Sequence, residues 1–337
     1  MTQYRGLDKP RGQGYFLFWK AVFVGIMLCT VAFFWYASSS VEYIWRWNRV
    51  PQYFWVAEKT DVRAEVSGDV VSVETTAEGA TRITVKGDDG SETYTVPPAG
   101  KVLISGGDYI YSGDPVGRYE VSKPGILLEG LWITLEVSML AIIIGIVLGV
   151  VTGLARISVN PALRWLAITY IEIIRGSPLL VQVFLWYFVV GTLLNALFEK
   201  VGLSAIPPLW YGVMALAIFT GAYVAEIVRA GIQSVHRGQM EAARSLGMSY
   251  AQSMRKVILP QAFRRIMPPL AGQFISLVKD SSLLGVIAVR ELTKATREVV
   301  TTSLQPFELW IVCALLYLVL TFTLSLCVQY LERRAVR

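Results

Sequence analysis

"GLWITLEVSMLAIIIGIVLGVVTGL", residues 130–154, holds a single ionisable side chain, Glu136. At about 1.5 Å per residue a helix of this length crosses a hydrocarbon core of roughly 30 Å. Backbone polar groups inside a bilayer need partners within their own segment, so the stretch reads as a membrane-spanning helix. Gly145, Gly149 and Gly153 recur along it at every fourth position. That stripe of small residues lets another helix approach closely, which makes packing their expected role. Five further apolar stretches lie near 19–37, 178–197, 208–229, 266–288 and 307–328. With 54% hydrophobic and 17% charged residues, the composition also points to a membrane. The expected fold class is mainly α: a polytopic helical bundle of five core spans plus an N-terminal anchor helix.

The same composition excludes several chemistries. His236 is the only histidine, and Cys29, Cys313 and Cys327 all lie in apolar stretches, so no metal site, disulfide framework or histidine-based triad is expected. No G-x-x-x-x-G-K-[ST] phosphate loop occurs, and no cofactor is expected. The net charge of +6 does not imply nucleic acid, because its basic residues cluster between spans and suit anionic lipid headgroups. Arg5, Lys9, Arg11 and Lys20 precede the first span, so the N-terminus is expected in the cytoplasm. Alternation then brings Arg156, Arg164, the stretch from Arg229 to Arg265, and Arg333, Arg334 and Arg337 to the same side. Outside segments are balanced, with Glu199 beside Lys200, and Glu291 and Glu298 among Arg290, Lys294 and Arg297. The first span ends in Phe-Phe-Trp-Tyr with no small-residue cleavage site after it, and is expected to stay as an anchor.

A different composition separates the first two spans. Residues 38–56, with Trp45, Trp47, Tyr53, Phe54 and Trp55, read as an aromatic interfacial segment. Residues 57–122 switch to short alternating runs such as "TRITVKG" and "ETYTVP", an all-β extracytoplasmic insert with a hairpin at "GDDGS". "GGDYIYSGDPVGRY" repeats Gly107-Asp108 as Gly113-Asp114. Such glycine-aspartate turns between short strands resemble the barrel-sandwich fold of lipoyl- and biotinyl-like domains. Lys86 lacks that family's modification context, so a docking or spacer module is expected.

"QMEAARSLGMSYAQSMRKVILPQ", residues 239–261, is basic and polar between two spans. Glu241, Ala242 and Ala243 open a helix-forming run that Gly247 stops. Ser249 and Gln252 then match a capping box for a second short helix running toward Pro260. The pattern predicts a rigid two-helix knob on the cytoplasmic side, with an ordinary connecting hairpin as the plainer reading.

The residues Glu241, Ala242, Ala243, Gly247, Ile258, Leu259 and Pro260 resemble the EAA loop of ABC-importer permeases. "YIEIIRGSPLLVQVFLWYF" (170–188), "GAYVAEIVRAGIQSV" (221–235) and "LVKDSSLLGVIAVREL" (277–292) are similar to the polar amino-acid subfamily. The resemblance covers about 124–335, with the loop at 236–262, and leaves the anchor and the insert unaccounted for. It implies a non-catalytic inner-membrane subunit with two separate ATPase subunits, a second permease chain and an extracytoplasmic substrate-binding protein as partners. The loop would dock on the ATPase and convert its opening and closing into rocking of the helices.

Lys279, Asp280, Ser281 and Ser282 interrupt the fifth apolar stretch. Ionisable groups at that depth face a protein interior or an aqueous path, so these four residues either line the translocation path or form an ion pair closing a helix break. Glu172 with Arg175, and Glu226 with Arg229, stand three apart as local helix-surface pairs. The reading is an importer permease for a polar amino acid or related compound; the alternative is a membrane-anchored adaptor whose insert recruits an envelope partner. The organisation expected is a cytoplasmic tail (1–18), an anchor (19–37), the interfacial segment (38–56), the β domain (57–122) and the permease domain (124–335).

Overall fold

The computed structural model describes residues 12–41, 43–77, 79–87 and 90–335, with side chains as far as 330. Arg5, Lys9, Arg11, Arg337, the tip of the "GDDGS" hairpin at 88–89 and the side chains of Arg333 and Arg334 lie outside the described residues. Among the described residues, six helical segments are long and apolar enough to cross a membrane. The first, α1 (Gln13–Ser40), lies in a unit of its own that ends at Trp47. Its helix extends into the segment expected to be interfacial, and Trp45 stacks flat on Trp47 at 5.8 Å.

In the second unit, chain entry into the bundle is set by a strand pair. β1 (Trp55–Arg63) and β7 (Pro115–Pro124) run antiparallel from Trp55↔Pro124 to Arg63↔Pro115. Ion pairs between Lys123 and Glu58 (2.6 Å) and between Arg118 and Asp61 (2.6 Å) tie the two strands together. Strand β1 was not among the runs legible from alternation, because Glu58, Lys59 and Asp61 break the apolar period. β2 (Gly68–Thr75), β3 (Thr81–Gly87), β4 (Gly90–Val96), β5 (Lys101–Val102) and β6 (Tyr109–Ile110) complete two sheets, ordered β1-β7-β5 and β4-β3-β2-β6. Val70, Ile83, Val85, Val96, Ile110 and Val116 fill the space between them.

The glycine-aspartate repeats form matching turns. Asp108 accepts the Ser105 N–H and Asp114 the Tyr111 N–H, at 2.7 and 2.9 Å. In each turn the glycine takes positive φ, +92° at Gly107 and +96° at Gly113. A side chain there would meet no neighbour, so the backbone conformation is what calls for glycine.

The helical part begins at α2 (Ile126–Arg156), whose entry packs tightly: Gly125 donates to the Phe54 carbonyl at 2.6 Å. Val50, Tyr53 and Phe54 join one apolar cluster with Leu127, Leu292 and Leu309, so the aromatic segment is partly core rather than only a membrane-surface layer. α3 (Pro161–Arg175), capped by Asn160, leads into the Gly176-Ser177-Pro178 break. Gln182 closes that break, donating to the Ile174 and Ser177 carbonyls at 2.7 and 3.2 Å. The third span is α4 (Leu179–Phe184), a π-helical segment (Leu185–Gly191) and α5 (Thr192–Lys200). α6 (Pro208–Gln233) is the most enclosed span, with 67% of its most apolar stretch buried.

The glycine stripe of α2 lies against α6. A Cβ at Gly145 would be 3.1 Å from the Ala217 carbonyl, and one at Gly153 would be 2.8 Å from that of Ala225. At Gly149 it would overlap the Val224 side chain. Only the absence of side chains lets the two backbones come this close.

Beyond α6 come α7 (Arg237–Ser245), α8 (Tyr250–Ser253), a π-helical turn (Met254–Ile258) and α9 (Leu259–Asp280). The chain ends with a 3-10 segment (Ser281–Ile287), α10 (Leu292–Ser303) and α11 (Pro306–Ala335). The sequence expectation of a second short helix ending near Pro260 is corrected here. Tyr250–Ile287 runs on as one helical span. The π turn makes this possible, because Leu259 donates to the Met254 carbonyl five residues back, which relaxes the ladder where Pro260 brings no N–H.

Candidate functional site

The knob between α6 and α9 is built from its caps. His236 opens α7 by accepting the Gly238 N–H on Nδ1 at 3.1 Å. At the other end Met248 N–H bonds the Ala243 carbonyl and Gly247 N–H the Arg244 carbonyl, at 3.2 and 3.0 Å. This bond pair is the Schellman arrangement, which places a left-handed residue after the helix, and Gly247 has φ +81°. A side chain at Gly247 would meet nothing within 4 Å. The position therefore demands glycine for its backbone angle, not for close approach. Ser249 and Gln252 then complete a reciprocal capping box, at 3.2 and 2.9 Å.

One face of the knob is held and the other is free. Ala243, Ile258 and Ala262 are buried, and Ile258 and Ala262 pack with Val228, Ile232, Val235 and Ile266. Gln261 donates to Gln239 at 3.1 Å, and Arg265 reaches the Ser234 carbonyl, so α9 grips the root of the knob. Glu241, Ala242, Arg244, Leu246 and Tyr250 are exposed, with Leu246 at 83%. Leu259 is half-buried and Pro260 is exposed. Among the described residues, Glu241 and the six cations Arg237, Arg244, Arg255, Lys256, Arg264 and Arg265 enter no ion pair. The knob thus presents an exposed apolar side chain, Leu246, beside charges that have no ion-pair partner among the described residues.

The quartet at the end of α9 is divided. Lys279 and Ser282 line a cavity of about 340 Å³ with Thr293, Trp310, Cys313 and Tyr317. Ser281 is buried and donates back to the Val278 carbonyl at 2.8 Å. Asp280 is half-buried and outside that lining. No ion pair joins Lys279 to Asp280 among the described residues, and the helix tightens into a 3-10 segment instead of breaking. One wall of the cavity is braced by Glu291, which caps α10 by accepting from Thr293 and Lys294 N–H at 2.7 and 2.8 Å. Its Oε2 also accepts from the Tyr317 hydroxyl at 2.9 Å. Burial pushes the Glu291 carboxyl above the ordinary range, with the Thr293 and Lys294 N–H groups pulling it back.

Glu291 is thus a buried cap, not one of the balanced outer charges expected from sequence. Arg290 and Lys294 pair with Glu298 instead, at 2.9 and 3.7 Å. α10 itself escaped sequence reading because its cap is a glutamate, less common there than Ser, Thr, Asp or Asn. Ala288 (φ 63°) and Leu304 (φ 54°), the two positive-φ non-glycines among the described residues, flank it.

Residues 142–337 match the family model described as "Binding-protein-dependent transport system inner membrane component". The chain is 46% identical over 207 residues to the probable glutamine ABC transporter permease protein GlnM of Bacillus subtilis (strain 168), covering 61% of this chain and 92% of the relative. It is 39% identical over 209 residues to the glutamine transport system permease protein GlnP of Escherichia coli (strain K12), covering 62% and 92%. A similar figure holds for the L-cystine transport system permease protein TcyB of Bacillus subtilis (strain 168), 39% over 210 residues, covering 62% and 86%. Among solved structures, an amino acid ABC transporter with histidines matches at TM-score 0.55 and 42% identity, covering 62% of this chain and 94% of that one. The MetNI methionine ABC transporter shares the fold at TM-score 0.54 and 20% identity, covering 63% and 97%. An adaptor-only reading is not favoured by these matches. The chain belongs to the family of binding-protein-dependent transport system inner membrane components, the multi-pass permease subunits of ABC importers.

Proposed function

We propose that this permease carries a polar amino acid or a related compound, and that Glu241, Ala242, Ala243, Gly247, Ile258, Leu259 and Pro260 form its coupling element for a separate ATPase. The observation that carries the reading is the doubly capped knob with Leu246 at its exposed tip. In this reading ATP is hydrolysed by two partner subunits beneath two permease chains, identical or homologous. An extracytoplasmic binding protein delivers substrate, and a central site opens alternately to either side. Relatives named for glutamine and cystine transport support the substrate class.

The termini and the knob are cytoplasmic in this arrangement, and the β segment is extracytoplasmic. The domain division of anchor, interfacial segment, insert and permease domain is retained, with the insert as a docking module. Its two sheets and matched Gly107-Asp108 and Gly113-Asp114 turns support a barrel-sandwich-like fold. Lys279 and Ser282, with Asp280 and Ser281 shaping the helix beneath them, are the candidate path residues; the cavity they border supports this.

The test is purification with the native ATPase and binding protein, then a screen of amino acids for stimulated ATP hydrolysis. Stimulation by one or a few polar amino acids is expected, and its loss in Leu246→Asp with the membrane part intact. No stimulation by any amino acid contradicts the substrate class, and unchanged stimulation in Leu246→Asp contradicts the knob. Uptake unchanged in Lys279→Gln and Asp280→Asn removes the quartet from the path.

A further inference from the structure

Where α2, α3 and α6 converge, one carboxylate faces three guanidinium groups. Glu226 on α6 has a side chain only 16% exposed, and its Oε1 lies 2.7 Å from Nη1 of Arg156, the last residue of α2. Its Oε2 accepts from Arg229 at 2.8 and 3.1 Å and lies 4.0 Å from Nη1 of Arg175, the last residue of α3. Arg156 also reaches Glu172 of α3 at 3.9 Å, and Arg175 lies over the Tyr223 ring at 5.1 Å. Glu172 and Arg175, expected from spacing to pair with each other, therefore pair across helices instead.

The convergence sits at the root of the knob. Seven residues, about 10 Å of helix, separate Glu226 from the end of α6. Just beyond that end, Arg265 fastens α9 to Ser234, and His236 caps α7. The same carboxylate also reaches α3, which precedes the Gly176-Ser177-Pro178 break and so sets where the third span begins. Five residues before Arg175, α3 is also tied to α6 by the Tyr170 hydroxyl, which donates to the Ile218 carbonyl at 2.6 Å.

We propose that Glu226 is a positioning residue for coupling: by holding Arg156, Arg175 and Arg229 together it makes the ends of α2 and α3 move as one body with the root of the knob. Displacement of the knob then reaches the start of the third span through α3 as well as through α6. A half-buried carboxylate among three cations suits this, since losing it leaves Arg175 and Arg229 without an acidic partner among the described residues and Arg156 with only its longer contact to Glu172. The inference rests on the coupling role proposed for the knob.

The test uses the purified complete importer in lipid vesicles, reading substrate taken up per ATP hydrolysed. Wild-type protein that shows no substrate-stimulated hydrolysis would refute the coupling reading itself. Given stimulation, Glu226→Gln is expected to assemble with its ATPase and hydrolyse ATP while uptake per ATP falls about tenfold, within the usual range of coupling free energies. Arg175→Gln, at a half-exposed position, is expected to shift the ratio the same way. The double variant is expected to be no worse than Glu226→Gln, because both act through one contact. A wild-type ratio in Glu226→Gln, or losses that multiply in the double variant, would overturn the proposal. Should Glu226→Gln fail to assemble, Arg175→Gln decides alone: a reduced ratio supports the proposal and a wild-type ratio overturns it.

Discussion

α6 and α11 are both apolar enough to cross a membrane, yet the protein uses them in opposite ways. The most apolar stretch of α11 has a mean hydropathy of 2.6 and is 11% buried; that of α6 has 1.6 and is 67% buried. The less hydrophobic helix is the central one. In a bilayer, apolarity gives no preference for protein over lipid, so enclosure depends on shape and on small residues. α6 accordingly presents Gly212, Ala217, Gly221, Ala225 and Gly231 at its contacts, whereas α11 turns Leu315, Leu318, Val319 and Phe322 outward. Those outward side chains leave a surface for lipid or for another chain.

Substitutions at the surroundings of α6 and on the outward face of α11 should differ accordingly. The largest effect is expected from Gly149→Leu, where the new side chain must occupy the position of Val224 and push α2 off α6. Overpacking of this kind costs about 3 kcal/mol, enough to abolish a monodisperse solubilised protein by size-exclusion chromatography. Near-normal yield and thermal midpoint would show that the contact between α2 and α6 does not depend on small residues. A middle effect is expected from Tyr170→Phe, which takes away the hydroxyl bonded to the Ile218 carbonyl of α6. The loss should be about 1 kcal/mol, seen as a lowered thermal midpoint in detergent. The smallest is expected from Leu318→Ala on the outward face of α11, within about 0.5 kcal/mol. A larger loss there would show that a second chain covers this face.

The spans were legible because about twenty apolar residues admit few other readings, and the α2 glycines because their four-residue spacing has one obvious geometric use. The caps of the knob were equally local: Ser249 with Gln252, and Gly247 after α7, declare themselves within a few positions. What escaped was non-local or contrary to rule. Pro260 signals a helix end, and only the π turn before it lets the helix continue. Glu291 looks like a surface charge until Thr293, Lys294 and Tyr317 are seen to surround it. Of the partners of Glu226, Arg229 is given by its spacing of three, whereas Arg156 and Arg175 lie on other helices and no spacing reports them.

In the proposed function a stiff knob, set by the left-handed turn at Gly247, joins this permease to its ATPase. Uptake per ATP in vesicles carrying Gly247→Asn and Gly247→Val tests it most directly. No neighbour obstructs a side chain at Gly247, so the two variants differ in how well they accept positive φ, about 1–2 kcal/mol against a β-branched residue. The Asn variant is expected to stay close to wild type, and the Val variant to lose most coupled transport while still inserting in the membrane. Full transport by the Val variant, or an Asn variant as poor as Val, would contradict this coupling role.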